Sequence, residues 1–145
     1  MHAIRDAQIT DAPAIVSLLE ALDYPGTDDF IKDRLLQLIN HPDERLLVSV
    51  ENEVVTGVIS LHFIPQLALA GDFCRISYLC VSGETRGKGT GKALEEHAVH
   101  MARQRGCDRI EVHCHSRRTD AHRFYGRQGY AESPKYLCKS LKIVP

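Results

Sequence analysis

The sequence predicts an α/β domain built on a mixed, mainly antiparallel sheet flanked by about four helices, and three observations predict it. Strand-length runs rich in β-branched and apolar residues alternate with segments whose apolar residues recur at helical spacing. Two of those runs, Leu46–Val50 and Val54–Ile64, are separated only by the tight turn Glu51-Asn52-Glu53, so they pair as an antiparallel hairpin. A helical segment lies between the run Cys74–Val81 and the run Ile110–His115, so these two are parallel.

Taken in order, residues 2–6 (HAIRD) read as a short strand. Asp11 is placed to cap a helix with Pro13 in its first turn and Ile15, Leu18, Leu19 and Leu22 on one face. The turn Asp23–Phe30 leads to a second helix, capped by Thr27, with Ile31, Leu35, Leu38 and Ile39 on its apolar face and an end before Pro42. The hairpin and the Cys74–Val81 strand follow. A helix from about Gly89 to Arg105 sets Leu94, Ala98, Met101 and Ala102 on one side and stops at Gly106. After the Ile110–His115 strand, Asp120–Gln128 reads as a short helix closed by Gly129. Tyr136–Leu141 reads as a last strand, antiparallel to a segment that begins at Tyr130. No internal repeat or low-complexity linker breaks the 145 residues, so they are expected to form one domain.

Composition narrows the class. No apolar run approaches a membrane span, and MHAIRDAQITDA lacks a signal-peptide core, which points to a cytoplasmic protein. The 5 cysteines form no C-x-x-C pair, as expected for reduced, mostly buried thiols. The formal net charge of −1 hides an asymmetry: residues 1–74 hold 4 Lys/Arg and 12 Asp/Glu (net −8), and residues 75–145 hold 14 and 7 (net +7). Such a split suits an anionic ligand on the second half, although opposite-signed halves also attract each other in a compact fold. The basic half has neither aromatic interleaving nor a nucleic-acid motif, so DNA and RNA are not expected partners.

The stretch GETRGKGTGKALEE, Gly83–Glu96, carries four glycines within nine residues and runs straight into a helix. Bare backbone before a helix N-terminus is an anion cradle, because unpaired N–H groups and the positive end of the helix dipole converge there. A P-loop would need G-x-x-x-x-G-K-[ST], and both glycine pairs here are one residue too close. The dinucleotide fingerprint G-x-G-x-x-G fails at Lys92. The alternative is a glycine-rich surface turn with no ligand.

Arg86-Gly87-Lys88-Gly89-Thr90-Gly91, between a strand and a long helix, matches the loop Q/R-x-x-G-x-G/A of the GNAT N-acetyltransferase superfamily, and DAHRFYGRQGY (Asp120–Tyr130) resembles that family's A-x-x-F-Y-x-x-x-G-[FY] segment. With the element order, the resemblance covers nearly the whole chain. It implies a GNAT fold in which a parallel, splayed strand pair lies in the middle of the sheet. It also implies acetyl-CoA as the cofactor and direct transfer of acetyl to an amine, in a single domain spanning 1–145. The pyrophosphate is then expected on Arg86, Gly87, Lys88, Gly89, Thr90 and Gly91. Lys92 and Arg118, with Arg117 and Arg123 as further candidates, would add positive charge. Leu79, Cys80 and Val81 would offer backbone to the pantetheine arm, Cys80 being a packing residue and not a nucleophile.

The same resemblance makes Tyr125 the acid that protonates the departing thiolate, a step that suits a phenol still protonated at neutral pH. Many relatives carry a carboxylate near the positions of Ser77 and Tyr78; this chain has none there. The base is therefore sought at Glu111, His113, His115, Asp28, Asp29 or a water chain. His113 and His115 at i, i+2 lack a third ligand, so they read as a polar strand face and no metal is expected. Tyr24, Asp28, Tyr78 and His113 are the candidate acceptor contacts. DAHRFY, a following Gly-Tyr, Ser133 and Lys139-Ser140-Leu141 look similar to the aminoalkylphosphonate N-acetyltransferase branch, which implies a small primary amine as acceptor. Two alternatives stay open: a peptide or protein amine, or an acyl-CoA sensor without turnover. Relatives often form homodimers, and that arrangement is carried over as an expectation.

Overall fold

The structure, a computed structural model, describes residues 3–85, 87–113, 119–132 and 137–142. The chain divides into two compact units, Met1–His113 and Cys114–Pro145.

The first unit carries a five-stranded sheet in the order β1-β2-β3-β4-β5. The strands are β1 (Ala3–Asp6), β2 (Glu44–Glu51), β3 (Val54–Ile64), β4 (Phe73–Val81) and β5 (Arg109–Val112). All neighbours are antiparallel except β4 and β5, which run parallel as expected from the crossing helix. Among the described residues this parallel pair stands at the end of the sheet and not in its middle. The β2–β3 turn has two residues, Asn52 (φ 50°) and Glu53 (φ 65°). Two successive left-handed residues twist the turn the way the flanking strands twist, which is why so short a connection closes.

Helices α1 (Ala12–Ala21) and α2 (Ile31–Ile39) cover one face of the sheet. Ile15, Leu18, Ile31 and Leu35 pack there with Leu46, Val48, Val58 and Cys80. Helix α3 (Thr90–Gln104) lies on the opposite face, its buried side being Leu94, Ala98 and Ala102. Leu94 is fully buried, worth about 2–3 kcal/mol in apolar transfer. Gly57 makes this close approach possible: a Cβ there would stand 2.9 Å from Leu94 Cδ1 and 2.9 Å from Ser49 Oγ. The helix ends at Gly106 (φ 78°).

Asp11 is the residue before α1, as expected, but its side chain makes no hydrogen bond to that helix. Its carboxylate takes both Arg5 guanidinium nitrogens, at 2.8 and 2.9 Å, and caps the preceding 3₁₀ turn through the Gln8 N–H at 2.8 Å. A bidentate cation outcompetes a helix N–H because both partners are charged. Thr27 opens a separate 3₁₀ turn, Thr27–Asp29, and α2 starts after Phe30. β5 ends at Val112, short of the expected His115, and residues 114–118 lie outside the described ones.

The second unit contains α4 (Thr119–Arg127). Gly129 (φ 92°) closes it, with Tyr130 N–H reaching back to Tyr125 O at 3.0 Å. The expected last strand is not found: residues 137–142 form no ladder among the described residues, and Tyr136 lies outside them. Leu137 and Leu141 are almost fully exposed. A strand is held by its neighbour's hydrogen bonds and not by its own propensity.

Candidate functional site

Strand β4 changes character at Ser77. Up to that point it is paired on both sides, the β5 ladder running from Phe73↔Arg109 to Ile76↔Val112. The ladder stops there and β4 continues to Val81. On the β3 side, Ser60 pairs with Tyr78 and Leu61 with Ile76, so Ser77 is an extra residue, a β-bulge. The bulge reverses which side chains face which layer. Cys74 and Ile76 before it are buried with Leu61, on the α3 side, whereas Cys80 beyond it joins Val48 and Val58 under α1 and α2. The bulged strand bends just where β5 is lost. An edge of Ser77–Val81 is thereby left facing no strand among the described residues.

This edge leads directly into the glycine loop. Ser82 N–H bonds Thr56 O at 2.8 Å, fixing the strand exit, and a 3₁₀ turn, Gly83–Thr85, follows. Lys88 N–H then bonds Thr85 O at 3.1 Å. Gly87 and Gly89 both adopt φ 83°, a left-handed conformation that a side chain rarely takes. Nothing lies within 4 Å of where a Cβ would stand on either. The glycines are thus required by the backbone path, and they leave open space over the start of α3. Gly89 is the residue before the helix, and Thr90, its first residue, is buried. The first turn of a helix has N–H groups without intrahelical partners, so the loop presents donors to that space.

Of the cations expected to help, Lys88 is exposed, and Lys92 is exposed with its Nζ 3.8 Å from Glu96 Oε1. Arg86, Arg117 and Arg118 lie outside the described residues, as does His115. Leu79 and Val81 are half-buried, and Cys80 is buried in the α1/α2 core.

The acceptor candidates separate. Tyr24 and Tyr78 meet edge to face with ring centroids 5.3 Å apart, both still about half exposed. Burial, helped by Tyr24 and Cys80, raises the Tyr78 phenol above its usual range, so it stays protonated. Asp28 is exposed in the Thr27–Asp29 turn and lines a cleft with Pro13, Val16 and Lys32. His113 Nε2 lies 3.7 Å from Glu111 Oε1.

Glu111 is clamped. Arg75 donates to its Oε1 at 3.0 and 2.7 Å and Arg109 to its Oε2 at 3.3 Å. Burial pushes this carboxyl up, but the two guanidinium partners outweigh burial and hold it below the ordinary carboxylate range. Such a carboxylate resists proton uptake, which counts against the role of base expected of it.

Tyr125 belongs to the second unit. It is buried on α4, its ring edge to face with Phe124 (5.1 Å) and Tyr130 (5.3 Å).

One cluster escaped the sequence reading. His62 Nε2 lies 2.6 Å from Ser77 Oγ, and His62 Nδ1 lies against Glu44 Oε2. The signal was present only as strand register, since His62 and Ser77 are 15 residues apart across the β3–β4 connection. Among the described residues no group of three or more His, Cys, Asp or Glu is arranged to hold a metal ion. No described helix is long and apolar enough to cross a membrane.

Comparison with known proteins meets this geometry. A model of the acetyltransferase (GNAT) family matches residues 6–130. An aminoalkylphosphonate N-acetyltransferase of Salmonella typhimurium is 32% identical over 143 residues, covering 95% of this chain and 90% of that protein. A Bacillus halodurans protein described as a transcriptional regulator superposes with TM-score 0.89 at 23% identity, over 97% of this chain and 100% of that one. Glucosamine-6-phosphate N-acetyltransferase from Arabidopsis thaliana superposes with TM-score 0.85 at 21% identity, over 98% and 99%. At these identities the two structures speak for the fold alone.

Proposed function

The chain belongs to the acetyltransferase (GNAT) family, and from that premise we propose that it transfers acetyl from acetyl-CoA to the primary amine of a small molecule. The observation that carries the donor is the loop: two left-handed glycines open a space over the α3 N-terminus, at the end of a strand edge with no strand against it. In this reading the N–H groups of Gly87–Gly91 hold the pyrophosphate, and Arg86, Lys88, Lys92 and Arg118 add positive charge around it. The backbone of Leu79–Val81 holds the pantetheine arm as an added strand would be held. The thioester then lies at the Ser77–Tyr78 end of that edge.

The acceptor reading rests on the aminoalkylphosphonate acetyltransferase relative and on the exposed ring pair Tyr24–Tyr78. Two tyrosine faces suit an ammonium group on its way to the site. The amine must lose a proton to attack the thioester carbonyl, and the C–S bond then breaks to release a thiolate. Tyr125 gives its phenol proton to that thiolate and recovers one from solvent. The single-domain organisation, a cytoplasmic location and a homodimer belong to the same reading.

The test is thiol release from acetyl-CoA with a panel of small amines, aminomethylphosphonate and aminoethylphosphonate among them, beside a set of peptides with free N-termini. Turnover of a small amine, with kcat reduced about 10²–10⁴-fold in Tyr125→Phe, supports the assignment. Turnover of peptides alone would refute the small-molecule acceptor.

A further inference from the structure

Glu44, His62 and Ser77 form a line across three neighbouring strands. Glu44 and His62 are register partners on β2 and β3, and the bulge that makes Ser77 an extra residue brings its hydroxyl to His62. All three lie on the α1/α2 face, since Glu44 and His62 share strand parity with the core residues Val48 and Val58. Ser77 is exposed, His62 half-buried, and Glu44 Oε2 is closed off from solvent. Glu44 Oε2 lies against Nδ1 without a hydrogen bond, as an ion-pair partner for a protonated imidazole. In the tautomer with its proton on Nδ1, the Nε2 lone pair can receive the Ser77 hydroxyl proton. A carboxylate behind an imidazole behind a hydroxyl is the arrangement that lets a hydroxyl give up its proton as a second one arrives.

We infer that Glu44, His62 and Ser77 are the proton relay that deprotonates the acceptor amine. The inference rests on the acetyltransferase reading above. Ser77 is the bulge at which β4 parts from β5, so its hydroxyl stands at the head of the strand edge assigned to the pantetheine arm. As the amine nitrogen attacks the thioester carbon, its N–H proton passes to Ser77 Oγ and the Ser77 proton passes to His62 Nε2. Glu44 stabilises the imidazolium, which returns the proton to solvent after the C–S bond has broken. Ser77 remains a hydroxyl throughout and carries no acyl group. Across β4, the register partner of His62 is Arg75, which is held by Glu111 of β5. Beside Glu44, Arg45 is held by Asp6, and His41 stands at the entry to β2, its carbonyl accepting the Glu44 N–H.

The experiment uses the fastest amine of the panel named above and follows kcat from neutral to alkaline pH, with acetyl-CoA binding measured separately by calorimetry. His62→Gln is expected to lower kcat about 10²-fold and to change the shape of the wild-type pH profile, with acetyl-CoA affinity unchanged. Ser77→Ala is expected to do the same and Ser77→Thr to restore most of the rate, since it keeps the hydroxyl. Unchanged acetyl-CoA binding shows that each variant is folded. An active wild type whose rate and pH profile survive both His62→Gln and Ser77→Ala overturns the relay alone. A covalent acetyl group on Ser77 in the intact mass also overturns it, in favour of a nucleophilic serine. A wild type that binds acetyl-CoA but turns over no amine overturns the acetyltransferase reading, and the relay with it.

Discussion

The two halves of β4 are one continuous strand with two different occupations. Phe73–Ile76 is paired on both sides and buries Cys74 and Ile76 almost completely. Ser77–Val81 is paired only with β3 among the described residues, and Ser77 and Tyr78 are exposed. The difference originates in one extra residue. A bulge costs a ladder position and bends its strand, and here it coincides with the point where β5 ends. The first half contributes stability, and the second exposes a strand edge that carries the Ser77 hydroxyl at one end and runs at the other into the loop before α3. A sheet that held β4 on both edges to its end would leave no backbone groups for a ligand.

The strongest way to sharpen this contrast is to damage the first half. Ile76→Ala should destabilise the fold by about 3 kcal/mol, because a fully enclosed side chain leaves a cavity. Chemical denaturation measures that, and the folded fraction should still bind acetyl-CoA. Next in size is the clasp between β1 and α1. Asp11→Asn should cost about 1–2 kcal/mol at neutral pH, toward the lower end because Arg5 is partly exposed. The Arg5 hydrogen bonds, more than the Gln8 N–H, hold the Asp11 carboxyl below its usual range against the opposing effect of burial. A depressed carboxyl stabilises the fold above its unfolded value of about 4, and that contribution is lost as pH falls through the folded value. The gap between wild type and Asp11→Asn in denaturation midpoint should therefore close in acid. A gap that widened in acid would mean that the clasp had been misread.

Ser77→Ala should change stability by less than about 1 kcal/mol, since an exposed hydroxyl leaves no buried group stranded except one face of His62. If it destabilised as much as Ile76→Ala, the bulge would be structural and the division of β4 would fail. The smallest effect is an absence of reaction. Burial, then the neighbouring Cys107, pushes the Cys74 thiol up to about 12, so it should resist a thiol reagent at pH 8 while the exposed Cys138 reacts.

Much of this was legible in the residues. The apolar faces of α1, α2 and α3, the β2–β3 hairpin and the parallel β4–β5 pair follow from periodicity and connection length, and the glycine loop declares itself. The bulge does not. Cys74-Arg75-Ile76-Ser77 alternates apolar and polar residues, but Tyr78–Val81 is apolar throughout, so the sequence after Ser77 has no alternation in which an extra residue would show. The approach of His62 to Ser77 depends on that hidden register. The position of Asp11 before α1 was legible but the partner of its carboxylate was not, since a capping residue shows its type in the sequence and not its competitors, here Arg5; Thr27 caps no α-helix because a separate 3₁₀ turn intervenes. Residues 137–142 form no strand among the described residues, and Tyr136–Leu141 shows β-like residues but nothing about a partner.

Isothermal titration asks directly whether the open loop over α3 receives acetyl-CoA. Wild type is expected to bind it with a Kd of roughly micromolar order. Gly89→Glu, which places a side chain at φ 83° and a negative charge in the cradle, should weaken binding by about 100-fold or more while the protein stays folded. No heat of binding to folded wild type, or equal affinity in the variant, would contradict binding at the loop.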